Sequence, residues 1–260
     1  MKSGKLLFFN SFSLLLVLIA NFAFGSGAIG IPSVGDISDQ YPTLLTPAGY
    51  AFSIWGVIYL LLIGFVIYQW MGKAEDSLIP SGWWFSLSNL FNILWIICWV
   101  NGLIFISTIL IFLLLYSLMQ LVFRLRLEVW DAPMRIIALV WWPICIYTGW
   151  MVLASVLNVS VLLVSLEWDT WGISPEYWAV GITGIAVGIY SVLTFKRNMR
   201  EAALVGSWGF IAIALKADLS SDLVYWTAII AAIFLFFLVN YHAFKNYHYL
   251  PFFKLKRGEI

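Results

Sequence analysis

Charged residues are scarce in this sequence. Asp, Glu, Lys and Arg make up 10% of its 260 residues and hydrophobic residues 63%, whereas soluble globular domains have roughly 25% and 45–50%. The net charge of +1 gives no excess of basic side chains for binding phosphates, so we expect no nucleic-acid partner. The composition therefore predicts an integral, multi-pass membrane protein that is surrounded by the lipid bilayer.

Cysteine and histidine are also scarce. Cys98 and Cys145 lie in apolar runs, where a thiol usually behaves as a small hydrophobe, and we predict no disulfide. His242 and His248 lie at and beyond the end of the last apolar run, where we expect interfacial or solvated side chains rather than metal ligands. No hydrolytic triad, metal site or nucleotide-binding loop is visible, so the sequence does not predict an enzyme or a required cofactor.

The apolar runs predict eight membrane-spanning helices. A bilayer core of about 30 Å needs roughly 20 residues per helix, and short polar or Pro/Gly-containing breaks separate the runs. The runs are 6–26, 47–70, 83–101, 103–123, 136–165, 177–195, 202–217 and 223–243. The seventh run is short and contains Gly206 and Gly209. We therefore predict an all-α fold, a polytopic transmembrane helical bundle of about eight spans.

The few charges alternate between the two sides of this bundle, as expected if Lys and Arg prefer cytoplasmic loops. With the N-terminus inside, the basic residues on the inner side are Lys2, Lys5, Lys73, Arg124, Arg126, Arg135, Lys196, Arg197, Arg200, Lys245, Lys254, Lys256 and Arg257. The outer side carries Asp36, Asp39, Glu167, Asp169, Glu176, Asp218, Asp222 and Lys216. This segregation predicts that both termini are cytoplasmic. We expect a bacterial inner membrane, with a membrane of a eukaryotic organelle as the alternative.

The first apolar run has a second interpretation. Two lysines, an apolar run and the small residues of FGSGA (24–28) are also typical of a cleaved secretory signal peptide. The run of about 20 residues is long for a signal peptide, and the charge pattern requires it to remain. We therefore expect a retained first span, and cleavage would leave seven.

Three of the predicted helices carry an aromatic stripe. A helix turns by about 100° per residue, so residues three or four positions apart share a face. On the fifth span one face carries Tyr147, Trp150, Ala154 and Asn158. The second span carries Phe52, Trp55 and Tyr59 on one face, and the third carries Asn92, Trp95 and Trp99. Trp55, Trp95 and Trp150 lie about two turns or more inside their spans, at depths that permit one shared pocket.

Two simpler roles compete with a pocket. Trp and Tyr form anchoring belts at membrane interfaces, and this role suffices for Trp83, Trp84, Trp141, Trp142, Trp178 and Trp226 at the span ends. Asn92 and Asn158 could serve only to hydrogen-bond a neighbouring helix.

The ordered motifs resemble the TspO/MBR family of tryptophan-rich sensory proteins, which are related to the translocator or peripheral benzodiazepine receptor protein. The matching residues are Pro47, Trp55 and Tyr59, then Asn92 and Trp95, then Tyr147, Trp150, Ala154, Leu157 and Asn158. The family's proline before the helix-five tyrosine is displaced here to Pro143, and its double proline before helix two is represented by Pro47 with Pro42 further back. The resemblance covers roughly residues 6–165. It implies a five-helix region over 1–168 and an additional three-helix region with a basic tail over 169–260.

The resemblance implies a pocket between helices two, three and five for a flat hydrophobic ligand, either a porphyrin or other tetrapyrrole or a sterol-like molecule. The implied ligand-binding residues are Trp55, Tyr59, Asn92, Trp95, Tyr147, Trp150, Ala154 and Asn158. No histidine lies deep in a span, so porphyrin or haem is expected as a ligand without axial ligation of iron. A homodimer is a further expectation from the family.

Other functions remain open at this stage. Without Asp, Glu, Lys or Arg deep in any span, proton-coupled transport is disfavoured, but passive carriage of an apolar solute is not. Some family members are proposed to degrade porphyrin in light, and a structural or assembly role without a ligand is the simplest alternative. A sterol-recognition pattern at Val239, Tyr241 and Lys245 is weak.

Overall fold

A computed structural model describes residues 2–72, 74–217 and 221–247, together with Lys254, Lys256 and Gly258. Of the charged and histidine residues placed above, Lys73, Asp218, His248 and Arg257 lie outside the described residues. The described part contains eight long helices and no strand. They are α1 (Lys2–Ala20), α2 (Ile54–Trp70), α3 (Trp84–Val100), α4 (Ile104–Arg124), α5 (Trp142–Ser165), α6 (Pro175–Arg197), α7 (Arg200–Ala217) and α8 (Asp222–Lys245). The prediction of an all-α, polytopic helical bundle is confirmed, and the eight predicted spans correspond to these eight long helices.

Most of these helices can cross a bilayer by length and composition. Six segments do so: Ser3–Gly25, Gly49–Trp70, Ile104–Arg124, Met134–Ser165, Pro175–Arg197 and Asp222–Lys245. The two remaining long helices are α3, which has 17 residues, and α7, which carries Arg200, Glu201 and Lys216 at its ends. The protein is an integral membrane protein.

Contacts between distant loops show that the helices alternate in direction. At one end, Asn198 Nδ2 donates a 2.6 Å hydrogen bond to the Glu128 carbonyl and Arg197 Nη2 a 3.1 Å bond to the Val122 carbonyl. At the other end, Lys216 forms an ion pair with Asp39. We call the first the basic end and the second the acidic end, after the charges that the sequence concentrates there.

A π-helical turn interrupts the helix that leads into α5. Residues Met134–Ile136 are α-helical, Ile137–Trp141 form the π-turn, and α5 continues to Ser165. Such turns insert one extra residue into an α-helix and are frequent at functional sites. Here the turn lies at the basic end, two residues before Pro143.

Small residues let α7 approach α5 and α6 closely. A Cβ placed on Gly149 would lie 2.6 Å from the Ala202 Cα, and one on Gly206 would lie 2.5 Å from the nearest atom of the Tyr190 ring. The Tyr190 hydroxyl also donates a 2.7 Å hydrogen bond to the Gly149 carbonyl. Close backbone approach at small residues is how membrane helices pack without a hydrophobic driving force, and it explains the glycines of the seventh apolar run.

The first helix is held in the bundle by polar side chains. Asn10 is buried and donates to Gln69 Oε1 on α2 at 3.0 Å, while it accepts from the Ser86 hydroxyl on α3 at 2.9 Å. Asn89 Nδ2 on α3 donates to the Ser13 hydroxyl at 3.0 Å. These bonds give α1 a structural role in the bundle, as the retained-span interpretation expects.

A short helix, Val34–Gln40, covers the acidic end between α1 and α2. Ser33 caps it, because its hydroxyl accepts from the Asp36 N–H while its own N–H donates to the Asp36 carboxylate. These two bonds hold the pKa of Asp36 below its usual range. Trp99 Nε1 donates a 3.1 Å hydrogen bond to the Val34 carbonyl, and with the Lys216–Asp39 ion pair it attaches the short helix to α3 and α7.

Candidate ligand-binding site

The three aromatic stripes meet around Trp55. Its ring centroid lies 5.5 Å from that of Tyr59, 6.2 Å from that of Trp95, 5.9 Å from that of Tyr147 and 6.4 Å from that of Trp150. These separations fall within the range of favourable aromatic pairs. The structure therefore brings together residues that lie up to 95 positions apart in the chain. We call these five residues the aromatic cluster.

Two more rings extend the cluster towards the acidic end. Trp99 stacks on Trp95 at 5.9 Å, and Phe52 meets Trp150 edge to face at 6.2 Å. Both residues share the predicted faces of their helices. Because Trp99 also binds the Val34 carbonyl, the cluster is connected directly to the short helix that covers it.

Asn92 connects three helices next to the cluster. Its Nδ2 donates a 2.8 Å hydrogen bond to the Tyr147 hydroxyl, and its Oδ1 accepts a 2.8 Å bond from Asn21 Nδ2. Asn21 begins the π-helical turn Asn21–Gly25 that follows α1. Sequence reasoning missed Asn21, although an amide at the end of an otherwise apolar run was the available signal. Asn92 therefore orients Tyr147 in the cluster.

Asn158 makes its hydrogen bonds to a neighbouring helix. Its Oδ1 accepts from the Thr108 hydroxyl at 2.8 Å and from the Ser107 hydroxyl at 3.4 Å, and both donors lie on α4. The amide thus joins α5 to α4, the helix-packing role that the sequence left open. Asn158 and Ala154 also line a small cavity beside the cluster.

Three buried polar atoms of the cluster have no hydrogen-bond partner. They are the indole Nε1 atoms of Trp95 and Trp150 and the hydroxyl of Tyr59. A buried donor without an acceptor costs about 1–3 kcal/mol. The two indole N–H groups are therefore available to an acceptor that a bound molecule would bring.

The cavity at this place is small. It measures about 30 Å³ and is lined by cluster rings together with Val34 and Ser38 of the short helix. That volume holds about one water molecule, whereas ligand pockets typically measure about 300–1,000 Å³. The space between the rings is therefore too small for a tetrapyrrole, and the predicted pocket stays a prediction.

A larger apolar groove lies elsewhere, between α4, α5 and α6. It measures about 400 Å³, and Phe112, Val156 and Ile185 are among its lining residues. Phe112 and Ile185 are exposed at the bundle surface. In a bilayer such a groove is in contact with lipid acyl chains, so its volume is not evidence for a specific ligand.

Two expectations about residues at the basic end are wrong. His242 is buried rather than interfacial or solvated, and its ring packs edge to face on Phe195 at 6.0 Å. Trp141 is also buried, 5.6 Å from Trp130, and does not belong to an interfacial belt. Trp83 and Trp226, by contrast, are exposed at span ends, where belt residues are expected.

The weak sterol-recognition pattern does not form one surface. Tyr241 is exposed on α8, but Val239 is buried in the bundle. A lipid molecule at Tyr241 would therefore not reach both residues.

Comparison with protein families adds one finding. A family model described as TSPO-like protein matches residues 7–241. The match runs from α1 into α8, whereas the motifs quoted above cover residues 6–165, so the matched region includes the three helices after residue 169. The division at residue 168 stays a prediction. Neither the curated proteins nor the solved structures give a match.

Proposed function

The chain belongs to the TSPO-like protein family, and on that premise we propose that its aromatic cluster binds a flat hydrophobic ligand, with a tetrapyrrole such as a porphyrin as the preferred class. The ligand would lie between α2, α3 and α5. The protein would then sense, sequester or passively carry this molecule within the membrane.

One observation carries the proposal. The cluster combines a central indole, Trp55, with two other buried indoles whose N–H groups have no acceptor. A tetrapyrrole offers a large π face for stacking and carboxylate or ring-nitrogen acceptors for those N–H groups. A purely structural cluster would gain nothing from leaving both donors unpaired.

The closed cavity sets a condition on this function. Ligand entry requires Trp55 to separate from Trp95 and Trp150, and the short helix Val34–Gln40 to move away from Trp99. The open form therefore has to be populated before or during binding. If only a fraction of the molecules is open, the apparent affinity is the affinity of the open form multiplied by that fraction. We expect slow association compared with a preformed pocket.

The residues of the cluster favour passive binding over coupled transport. Proton- or ion-coupled carriers usually place ionisable groups near the middle of the membrane, and the lining of the small cavity contains no Asp, Glu, Lys, Arg or His among the described residues. Uptake of porphyrin against a gradient by the purified protein in liposomes would contradict this preference.

The test is a titration of the detergent-purified protein with protoporphyrin IX, followed by tryptophan fluorescence. We expect saturable quenching in the wild type and at least tenfold weaker binding in Trp150→Phe, because the variant lacks one free N–H and part of the stacking surface. Trp226→Phe is the matched control, since Trp226 is exposed at the start of α8 and its replacement should leave the affinity unchanged.

Two further outcomes separate the alternatives. Equal, non-saturating quenching in all three proteins would contradict a specific site and leave helix packing as the role of the cluster. If cholesterol displaces protoporphyrin IX and binds the same site at least tenfold more tightly, the preferred ligand class is sterol-like rather than tetrapyrrole. Enzymatic action is tested separately, because porphyrin loss in light that survives replacement of Trp55, Trp95 and Trp150 would not be catalysed by the cluster.

A further inference from the structure

A second cavity lies at the basic end, away from the aromatic cluster. It measures about 250 Å³ and is bounded by the loop between α4 and the π-turn, the first residues of α7 and the last turn of α8. That volume would hold about eight water molecules. Trp141 in its wall and Trp150 in the cluster are nine residues apart on nearly continuous helix, or about 14 Å.

Four lining residues of this cavity bury polar atoms that have no partner. The atoms are Glu128 Oε1, Arg200 Nε and Nη1, Trp141 Nε1 and His242 Nδ1. The side chains that carry them are at most 9% exposed: Glu128 9%, Arg200 8%, His242 5% and Trp141 2%. Native proteins satisfy the great majority of buried polar groups, so four orphaned groups around one cavity point to a polar molecule that binds there.

The orphaned donors define one half of this molecule. Among the residues that the structure describes, none forms an ion pair with Arg200, although its side chain is buried in the wall of the cavity. Unpaired guanidinium and indole N–H groups require an acceptor, and Arg binds both carboxylates and phosphates through paired hydrogen bonds. A carboxylate carries one negative charge, which a single Arg can neutralise, whereas a phosphate group carries about 1.5 to 2. The first half of the ligand is therefore a carboxylate group.

The charges of the wall define the other half. Burial and the neighbouring Glu201 raise the pKa of Glu128 to about 8, against the opposing effect of Arg200 and Lys254. The Glu128 carboxyl is then mostly neutral at pH 7. Lys254 pairs with Asp131, and Arg200 and Glu201 contribute one charge of each sign. With His242 as the neutral imidazole, the wall carries no net charge.

A ligand with a carboxylate alone would place an uncompensated negative charge next to the buried side chains of a wall that has no net charge, which is unfavourable. A ligand that also carries an ammonium group has no net charge, so the site together with its ligand stays neutral. The Glu201 carboxylate, which already accepts from Trp142 Nε1 at 3.2 Å, and the free Oε1 of Glu128 can accept from this ammonium group.

One side of the cavity is apolar and accommodates a hydrocarbon side chain. Ile137 and Trp141 from the π-turn and Trp130 from the loop lie on this side, and the two indoles meet edge to face at 5.6 Å. We propose that this cavity is a binding site for an amino-acid-like zwitterion with an apolar side chain, whose carboxylate binds Arg200 and Trp141 and whose ammonium binds Glu201 and Glu128. The site is independent of the proposed tetrapyrrole site.

The test uses three molecules that differ only in their charged groups. L-leucine is the zwitterion, 4-methylpentanoate lacks its ammonium group, and isopentylamine lacks its carboxylate. We expect saturable binding of L-leucine to the full-length protein in nanodiscs at pH 7, measured by calorimetry, and at least tenfold weaker binding of the other two. Equal binding of all three, tighter binding of either singly charged analogue, or no saturable binding of L-leucine would overturn the proposal.

Two variants test the residues. Arg200→Gln should abolish L-leucine binding, whereas Arg124→Gln should not, because Arg124 lies over the Trp84 ring at 5.8 Å and does not line the cavity. Size-exclusion chromatography shows whether each variant remains folded. Glu201→Gln gives the site a net positive charge and should invert the ranking, so that 4-methylpentanoate binds more tightly than L-leucine. An unchanged ranking in this variant would also overturn the proposal.

Discussion

At the scale of single residues, Glu128 carries the most unusual combination of properties. Its carboxyl is buried, and its backbone has φ of 57°, a left-handed conformation that costs a non-glycine residue about 1–3 kcal/mol. The side-chain amide of Asn198 donates a 2.6 Å hydrogen bond to the backbone carbonyl of Glu128. Strain of this kind persists only where the surroundings determine the conformation, so the loop is fixed around the carboxyl.

The raised pKa of Glu128 predicts a pH dependence of stability. In the unfolded chain its carboxyl releases its proton near pH 4.3, but in the folded protein it does so only near pH 8. Between these values the folded state binds more protons than the unfolded state, so stability falls as pH rises through this interval. We expect the melting temperature in detergent to decrease from pH 5 to pH 8 and to decrease less in Glu128→Gln.

The control for this prediction is Glu167→Gln, since Glu167 is exposed in the loop after α5. It should reproduce the wild-type pH profile. A Glu128→Gln profile that follows the wild type would show that this carboxyl is ionised in the folded protein.

Single residues also show where sequence reasoning succeeds. Trp55, Trp95 and Trp150 could be placed together, because helical periodicity assigns each to a face and similar depth brings the faces to one level. Glu128 and Arg200 could not be placed in a cavity, because their burial depends on contacts of α7 and α8 with a loop that lies far away in the chain. The sequence gives the charge of these residues but not their exposure.

At the scale of helices, the first span depends on polar contacts. Removing the Asn10 amide leaves Gln69 Oε1 and the Ser86 hydroxyl without their partners. We expect Asn10→Ala to lower the free energy of unfolding by about 1–3 kcal/mol, as measured by unfolding in mixed micelles. Asn240→Ala is the matched control, because Asn240 is exposed on α8 and binds only the Phe236 carbonyl of its own helix.

The contact between α5 and α7 allows a test of close packing. A methyl group on Gly149 would overlap the backbone of Ala202, so Gly149→Ala should destabilise the protein by about 1–3 kcal/mol. The methyl group that Gly188→Ala adds on α6 would point into open space. This variant should leave stability unchanged or raise it, since alanine has a higher helix propensity than glycine. Equal melting temperatures for the two variants would contradict the tight α5–α7 contact.

At the scale of the whole molecule, the apolar runs predicted the number of long helices, and the alternation of charges predicted that successive helices run in opposite directions. The order of packing could not be predicted, because lipid-facing and protein-facing surfaces are both apolar in a membrane protein. The position of α7 against α5 becomes visible only through the fit of Gly149 to Ala202. The small space between the rings of the aromatic cluster could not be predicted either, since periodicity assigns rings to a common face but does not set the distance between them.

The attachment of the short helix Val34–Gln40 predicts how the molecule opens. Trp99→Phe removes the hydrogen bond to the Val34 carbonyl and keeps most of the stacking on Trp95. We expect faster amide hydrogen exchange over residues 34–40 and faster association of protoporphyrin IX, with Trp226→Phe as the unchanged control. Exchange at the wild-type rate would mean that other contacts hold this helix in place.

The π-turn at Ile137–Trp141 has a consequence for how the chain can vary in length. A π-turn contains one residue more than an α-helix needs, so deleting Ala138 would restore a regular helix and rotate the preceding segment by about 100°. The wall of the cavity at the basic end would then no longer face α7 and α8 in the same way, while Tyr147 and Trp150, the two cluster residues that lie after the turn, would keep their positions. The two ends of this long helix can therefore accept insertions and deletions independently, and a one-residue length change at this turn would alter one site without altering the other.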